Sequence, residues 1–157
     1  MDKSPFIIAP AERQITSSRT FRHSLQLVWD AWTNPDRLKN WWGPNGFTNT
    51  FYEFDLKPGG TWRFTMHGPN NVDYPNLSIF AAVVDQQLLV WDHVVAPLFR
   101  GVAIFEANSE NQTNVVYRMI FDDADLCNSL RSFIEEKNEE NFDRLEMELQ
   151  RDDFLYT

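Results

Sequence analysis

The sequence predicts an α+β domain: a curved antiparallel sheet wrapped around one long C-terminal helix, with two short helices after the first strand. Three observations predict it. Leu25, Val28, Trp29 and Trp32 recur at helical spacing near the start. The chain from Phe47 to Phe121 then alternates apolar and polar residues in short runs broken by tight turns, the pattern of an antiparallel meander. The rest returns to helical periodicity. An antiparallel sheet has one face to bury, and the terminal helix is the only element long enough to cover it.

Residues 1–13 read as a flexible lead-in, with Pro5 and Pro10 breaking any regular element, and 14–157 as a single domain. Gln14 to His23 suits a strand. Ser24 offers an N-cap hydroxyl to the first helix. Asn34-Pro35 closes that helix and opens the next, with Asn34 as cap and Pro35 at the first position. The second helix carries Leu38 and Trp41 and stops at Gly43-Pro44. Trp41 and Trp42 are adjacent on its last turn, so they are expected to face different sides. Either one lies in the core and the other caps the sheet edge, or the pair supplies an aromatic lip over a cavity mouth.

Phe47 to Lys57 is a strand whose apolar parity shifts between Phe51 and Phe54, which predicts a bulge. Pro58-Gly59-Gly60 is a turn. Trp62, Phe64 and Met66 then alternate with Thr61, Arg63 and Thr65, placing Arg63 outward. After a turn at Gly68-Pro69-Asn70-Asn71, Leu77, Ile79, Ala81 and Val83 alternate in the next strand. Leu88 to Val95 is apolar on both parities except Asp92 and His93. Phe99 to Ala107 and Thr113 to Phe121 complete the sheet, and either Tyr117 or Arg118 must face the helix. Asp122, Asp123 and Asp125 suit a helix N-terminus. Leu126, Leu130, Phe133 and Ile134 form one stripe, continued by Phe142, Leu145 and Leu149. Between them Glu135 to Asn141 is uninterruptedly polar, which predicts either a break or an opening onto solvent.

Composition narrows the function. Apolar residues at 43% and charged residues at 24% describe a globular chain, not a disordered one. The 13 Phe, 6 Trp and 4 Tyr predict an aromatic core or an aromatic-lined cavity. Net charge is −9, and the segment 122–157 alone carries −8 of it. Without a basic stripe, nucleic-acid binding is disfavoured, as is an anionic membrane surface. No apolar run reaches the ~20 residues of a membrane helix. The apolar stretch Phe6 to Ala9 is too short for a signal-peptide core, and Cys127 is the sole cysteine, so a cytoplasmic protein is expected.

His23, His67 and His93 share no metal-ligand spacing, and no phosphate loop, dinucleotide fingerprint or nucleophile elbow occurs. No cofactor, no metal and no catalytic residue is assigned. Glu135-Glu136 and Glu139-Glu140 read as a solvated helix face. His93 shares strand parity with Leu89 and Trp91, so it is either a satisfied core histidine or a polar anchor inside a pocket.

Trp29-Asp30-Ala31-Trp32-Thr33-Asn34-Pro35, Trp41-Trp42-Gly43-Pro44 and Asp55-Leu56-Lys57-Pro58-Gly59-Gly60-Thr61-Trp62, in this order, resemble the START-like (SRPBCC) superfamily. Within it they look like the branch homologous to the activator of the ninety-kilodalton heat-shock chaperone's ATPase. Thr113 and Phe142-Asp143-Arg144-Leu145 fit the same pattern, so the resemblance covers about residues 14–150. It implies a helix-grip fold with a cavity between sheet and helix, which in the superfamily holds apolar small molecules; a minority of members are cyclases or hydrolases. Two positions depart from the pattern. Asn71 stands where a glycine usually follows the Gly-Pro-Asn turn, and Glu139, Glu140 and Asn141 replace a mid-helix glycine.

The resulting expectation is a carrier or sensor of an apolar small molecule. Its ligand-binding residues would be Trp41, Trp62, Phe64, Met66, Trp91, His93, Phe105, Tyr117 and Phe133. The alternatives are an interaction domain that regulates a chaperone ATPase and an enzyme using His93 or Tyr117 as proton donor or acceptor. An edge strand could also pair two copies into a homodimer.

Overall fold

Seven strands form one antiparallel sheet: β1 (Gln14–Phe21), β2 (Thr48–Phe54), β3 (Thr61–His67), β4 (Asp73–Val84), β5 (Leu88–His93), β6 (Phe99–Ser109) and β7 (Gln112–Ile120). Their spatial order is β1-β7-β6-β5-β4-β3-β2, so β1 and β2 are the edges. The helices are α1 (Leu25–Thr33), α2 (Pro35–Trp41) and α3 (Ala124–Leu155). This computed structural model describes residues 9–155. Most of the expected lead-in, including Phe6 to Ile8, lies outside the described residues. Its last residues are anchored: Ala11–Arg13 form a 3-10 turn, and Arg131 on α3 donates to the carbonyls of Gln14 and Ala11.

Capping follows the sequence. Ser24 Oγ accepts from Leu27 N at 3.3 Å, and Asn34 Oδ1 accepts from Asp36 N at 3.1 Å. The next residues depart from expectation. Trp41 and Trp42 both enter the core, with ring centroids 5.6 Å apart. Trp42 is the C-cap of α2 with extended angles (φ −65°, ψ 130°), so it has left the helical repeat that would have separated the two rings.

The bulge in β2 falls between Phe51 and Glu53. A second one, in β4, lies between Phe80 and Ala82. It explains why the β4 alternation misleads. Before the bulge the inward residues are Ser78 and Phe80, opposite His93 and Trp91, while Leu77 and Ile79 face out. After it Val83 turns inward and Ala82 outward. On the outer face Ala82, Leu88, Val90 and Val102 form a second, thinner apolar cluster. That cluster is why Leu88 to Val95 is apolar on both parities.

The main core is an aromatic block on the inner face. Trp32 of α1 sits at its centre, edge-on to Trp41, Trp42 and Phe105 with centroids 5.0, 5.6 and 5.5 Å away. Trp62 stacks on Phe64 and Phe80. Gly101 on β6 makes room for the Trp91 indole, since a Cβ there would lie 2.2 Å from it. Arg63 faces outward as expected and pairs with Glu53 at 3.1 Å.

α3 runs unbroken for 32 residues. Its central polar run is neither a break nor simply a solvated face, because polar partners surround it. Arg19 at the sheet edge pairs with Glu139, Asp143 and Glu146 at 2.7, 2.8 and 3.3 Å. Glu140 accepts from Asn45 N, and Asn141 Oδ1 accepts from Gly43 N at 3.1 Å. Arg144 donates to the carbonyls of Asn40, Trp42, Gly43, Pro44 and Phe47 at 2.8–3.3 Å. One face of α3 thereby clasps the loop after α2. Burial pushes the Arg144 pKa down. Farther along, Glu148 and Asp152 hold Arg37 of α2 at 3.2 and 2.9 Å.

Candidate functional site

Beyond the aromatic block the inner face is not filled. A cavity of about 570 Å³ lies between the middle of α3 and the sheet. Phe133, Ile134, Lys137, Asn138 and Asn141 form its helical wall. The sheet contributes Met66, His93, Phe99, Tyr117 and Met119. Trp42, Gly43, Pro44 and Phe47 come from the clasped loop, and Tyr74, Pro75 and Asn76 from the start of β4. Tyr74 and Phe133 are exposed as well as lining it, the latter at 61%, and mark its open side.

Of the nine residues singled out in the sequence, Met66, His93, Tyr117 and Phe133 line this cavity. Trp41, Trp62, Phe64, Trp91 and Phe105 do not; they belong to the aromatic block. Strand parity places all the strand residues on the correct face. It says nothing of position along the strand, and α1 and α2 cover the half of the face where those five sit. The lining residues that sequence reasoning missed include Trp42, Phe99, Met119, Asn138 and Asn141. The two asparagines were legible in principle, because Ile134, Asn138 and Asn141 continue one helical stripe at i, i+4, i+7.

His93 is the last residue of β5, and its ring stacks on Phe99 with centroids 4.8 Å apart. Nδ1 lies 2.8 Å from Pro97 O, which can only accept, so Nδ1 carries a proton. Nε2 lies 2.8 Å from Asn76 Oδ1, also an acceptor because Asn76 Nδ2 donates to Tyr74 O, so this second contact favours a proton on Nε2 as well. Burial pushes the His93 pKa down, favouring the neutral ring, although hydrogen bonds to the Pro97 and Val95 backbone oppose this. Burial likewise drives the Tyr117 pKa upward, so its hydroxyl stays protonated. Lys137 Nζ pairs with Glu140 at 3.2 Å, and Asp73 pairs with His67 at 2.7 Å. Among the described residues no group of three or more His, Cys, Asp or Glu side chains could hold a metal ion. No described helix is long and apolar enough to cross a membrane.

Residues 22–150 match the family model described as activator of Hsp90 ATPase homolog 1-like protein. This chain belongs to that family. No curated protein matches the sequence significantly. Solved structures show the same fold. A protein of Nitrosomonas europaea superposes with a TM-score of 0.84 at 22% identity, covering 92% of this chain and 99% of that one. A protein of Arthrobacter aurescens gives 0.82 at 18% identity, covering 93% and 92%. The Silicibacter pomeroyi protein described as AHSA1 gives 0.73 at 16% identity, covering 88% and 99%. At these identities the likeness is one of fold, the helix-grip arrangement that the motifs implied.

Proposed function

We propose that this protein binds an apolar small molecule between the sheet and α3, as a carrier or sensor. The observation that carries this reading is the cavity of about 570 Å³ beside an otherwise closely packed core. Small-molecule sites span roughly 300–1,000 Å³ and are apolar with few polar groups, and this one fits both criteria. Burying about 300 Å² of apolar ligand surface at ~25 cal/mol per Å² supplies about 7 kcal/mol before ordering costs. The ligand-contacting residues are Met66, His93, Phe99, Tyr117, Phe133 and Asn141. Native mass spectrometry of protein purified from its own organism tests the reading. A co-purifying mass of a few hundred daltons, lost on denaturation, supports it. An unliganded mass, together with no change in tryptophan emission or stability across a panel of apolar compounds, counts against it.

Regulation of a chaperone ATPase is the second reading, and the family description favours it. The acidic face of α3 supplies a charged surface, so binding to a chaperone would weaken with salt and be accompanied by faster ATP turnover. No binding at low salt excludes it. Catalysis has less support. Both His93 ring nitrogens are already engaged, and the Tyr117 hydroxyl is held protonated by burial.

A further inference from the structure

We infer that the ligand of this cavity is uncharged and buries a hydrogen-bond-accepting oxygen, a carbonyl or a hydroxyl, against the side-chain amide of Asn141. This rests on reading the cavity as a small-molecule site. It deepens that reading by assigning the chemistry of the ligand's inner end.

The orientation of the Asn141 amide follows from its partner. Oδ1 accepts from the Gly43 backbone N–H at 3.1 Å, and a backbone amide can only donate. Nδ2 therefore points away from Gly43 with two N–H groups. No described residue accepts from it, yet Asn141 is only 7% exposed and lines the cavity. Its neighbours repeat the theme. The Tyr117 hydroxyl lines the same cavity at 4% exposure and makes no hydrogen bond among the described residues. Asn138, also 7% exposed, directs Nδ2 to Ser17 Oγ at 3.2 Å, which leaves Oδ1 without a protein donor. Buried polar groups in folded proteins are nearly always satisfied. None of these three atoms is among those sealed from solvent without a partner, so each reaches the cavity and takes its complement from the cavity's contents, water or ligand.

Charge sets the second half of the inference. Of the charged side chains at this cavity, Lys137 is neutralised by Glu140, and Asp73, mostly exposed at the rim, accepts a hydrogen bond from His67 Nδ1. Lys137 also lies over the Phe133 ring, 5.5 Å from its centroid. A carboxylate ligand would meet no free cation at the inner wall, and an ammonium no free carboxylate. A neutral oxygen acceptor meets a ready donor without desolvating an ion.

The test is a titration of the full-length, nitrogen-15-labelled protein followed by NMR. Three probes share one two-ring body: naphthalene, 2-acetylnaphthalene and 2-naphthoate. The expected order places 2-acetylnaphthalene about tenfold tighter than naphthalene, with 2-naphthoate weakest. The Asn141 side-chain amide resonances should move with the ketone. Asn141→Asp keeps an oxygen for the Gly43 N–H and removes both free donors. It should erase the ketone's advantage over naphthalene. If that variant does not fold, the probe order and the amide shift in the unaltered protein still decide. Equal affinity for naphthalene and the ketone, an unmoved Asn141 amide, or tightest binding by 2-naphthoate each overturns this inference and leaves small-molecule binding standing. No binding by any probe at millimolar concentration overturns both.

Discussion

The two halves of the sheet's inner face have the same strand geometry and opposite interiors. One half holds Trp32, Trp41, Trp62, Phe64, Phe80, Trp91 and Phe105 in ring-to-ring contact. The other encloses a cavity with Asn138, Asn141 and Tyr117 on its walls. The difference lies in what covers the sheet. α1 and α2 lie against the first half and bring their own tryptophans. Over the second half lie α3 and the loop after α2 that Arg144 and Asn141 bind to it, with no further helix. Aromatic richness therefore marks where this protein is solid. The place where the inward stripe of α3 turns polar marks where it is hollow.

Substitutions in each half should separate these roles. The largest effect belongs to the solid half. Trp32→Ala should cost about 3–5 kcal/mol of unfolding free energy, measured by urea denaturation. A loss under ~1 kcal/mol would mean the aromatic block is loosely packed. Next comes the junction between the halves. Arg144→Ala removes a donor from Asn40 O and from four loop carbonyls, of which Trp42 O and Pro44 O keep Asn49 Nδ2 and Phe47 N, and should cost about 2–3 kcal/mol. It should also increase proteolysis at residues 42–47, whereas equal sensitivity in both proteins would show that the loop holds without it.

Smaller effects belong to the hollow half. His93 is buried with its pKa below the ordinary value of 6.5, so the unfolded chain binds the proton more readily than the folded one. Its contribution to stability is full above that value and is lost as pH falls toward the folded-state pKa. Against His93→Gln, the unaltered protein should therefore lose more stability on acidification through that window. Parallel pH profiles would show that His93 does not titrate differently on folding. Phe133→Ala should change stability by less than ~0.5 kcal/mol, because the ring is 61% exposed. It should nevertheless weaken binding of 2-acetylnaphthalene, and unchanged affinity would remove Phe133 from the site.

The fold was legible because its signals are local and repeated. Ser24 and Asn34 cap where their side chains predict, and Trp62, Phe64 and Met66 alternate onto the inner face. The bulge in β2 also shows in the parity shift at Phe51. The bulge in β4 does not, because Ala81 fits either face and Ser78 gives no sign of being buried. The site was harder to read. Period-two alternation assigns a face but no depth, so Trp62 and Met66 look equivalent although one is core and the other cavity wall. The polar run in α3 resembled a solvated surface because its partners, Gly43 and Ser17, are about a hundred residues or more away in sequence. Only the folded chain brings them together.

The asparagine pair on α3 also bears on how such a protein can change its taste in ligands. Met66, Phe99 and Tyr117 serve both the core and the cavity, whereas Asn138 and Asn141 lie outside the apolar core, so recognition can drift at the asparagines while the scaffold stays fixed. The two positions are not equally free. Asn141 must keep an oxygen for Gly43, whereas Asn138 gives up a bond to Ser17 and a weak one to the Met119 sulfur. Position 138 is thus the more permissive dial. A substitution there would remove one polar group from the wall and leave the Asn141 donor, and the clasp one turn along the helix, in place.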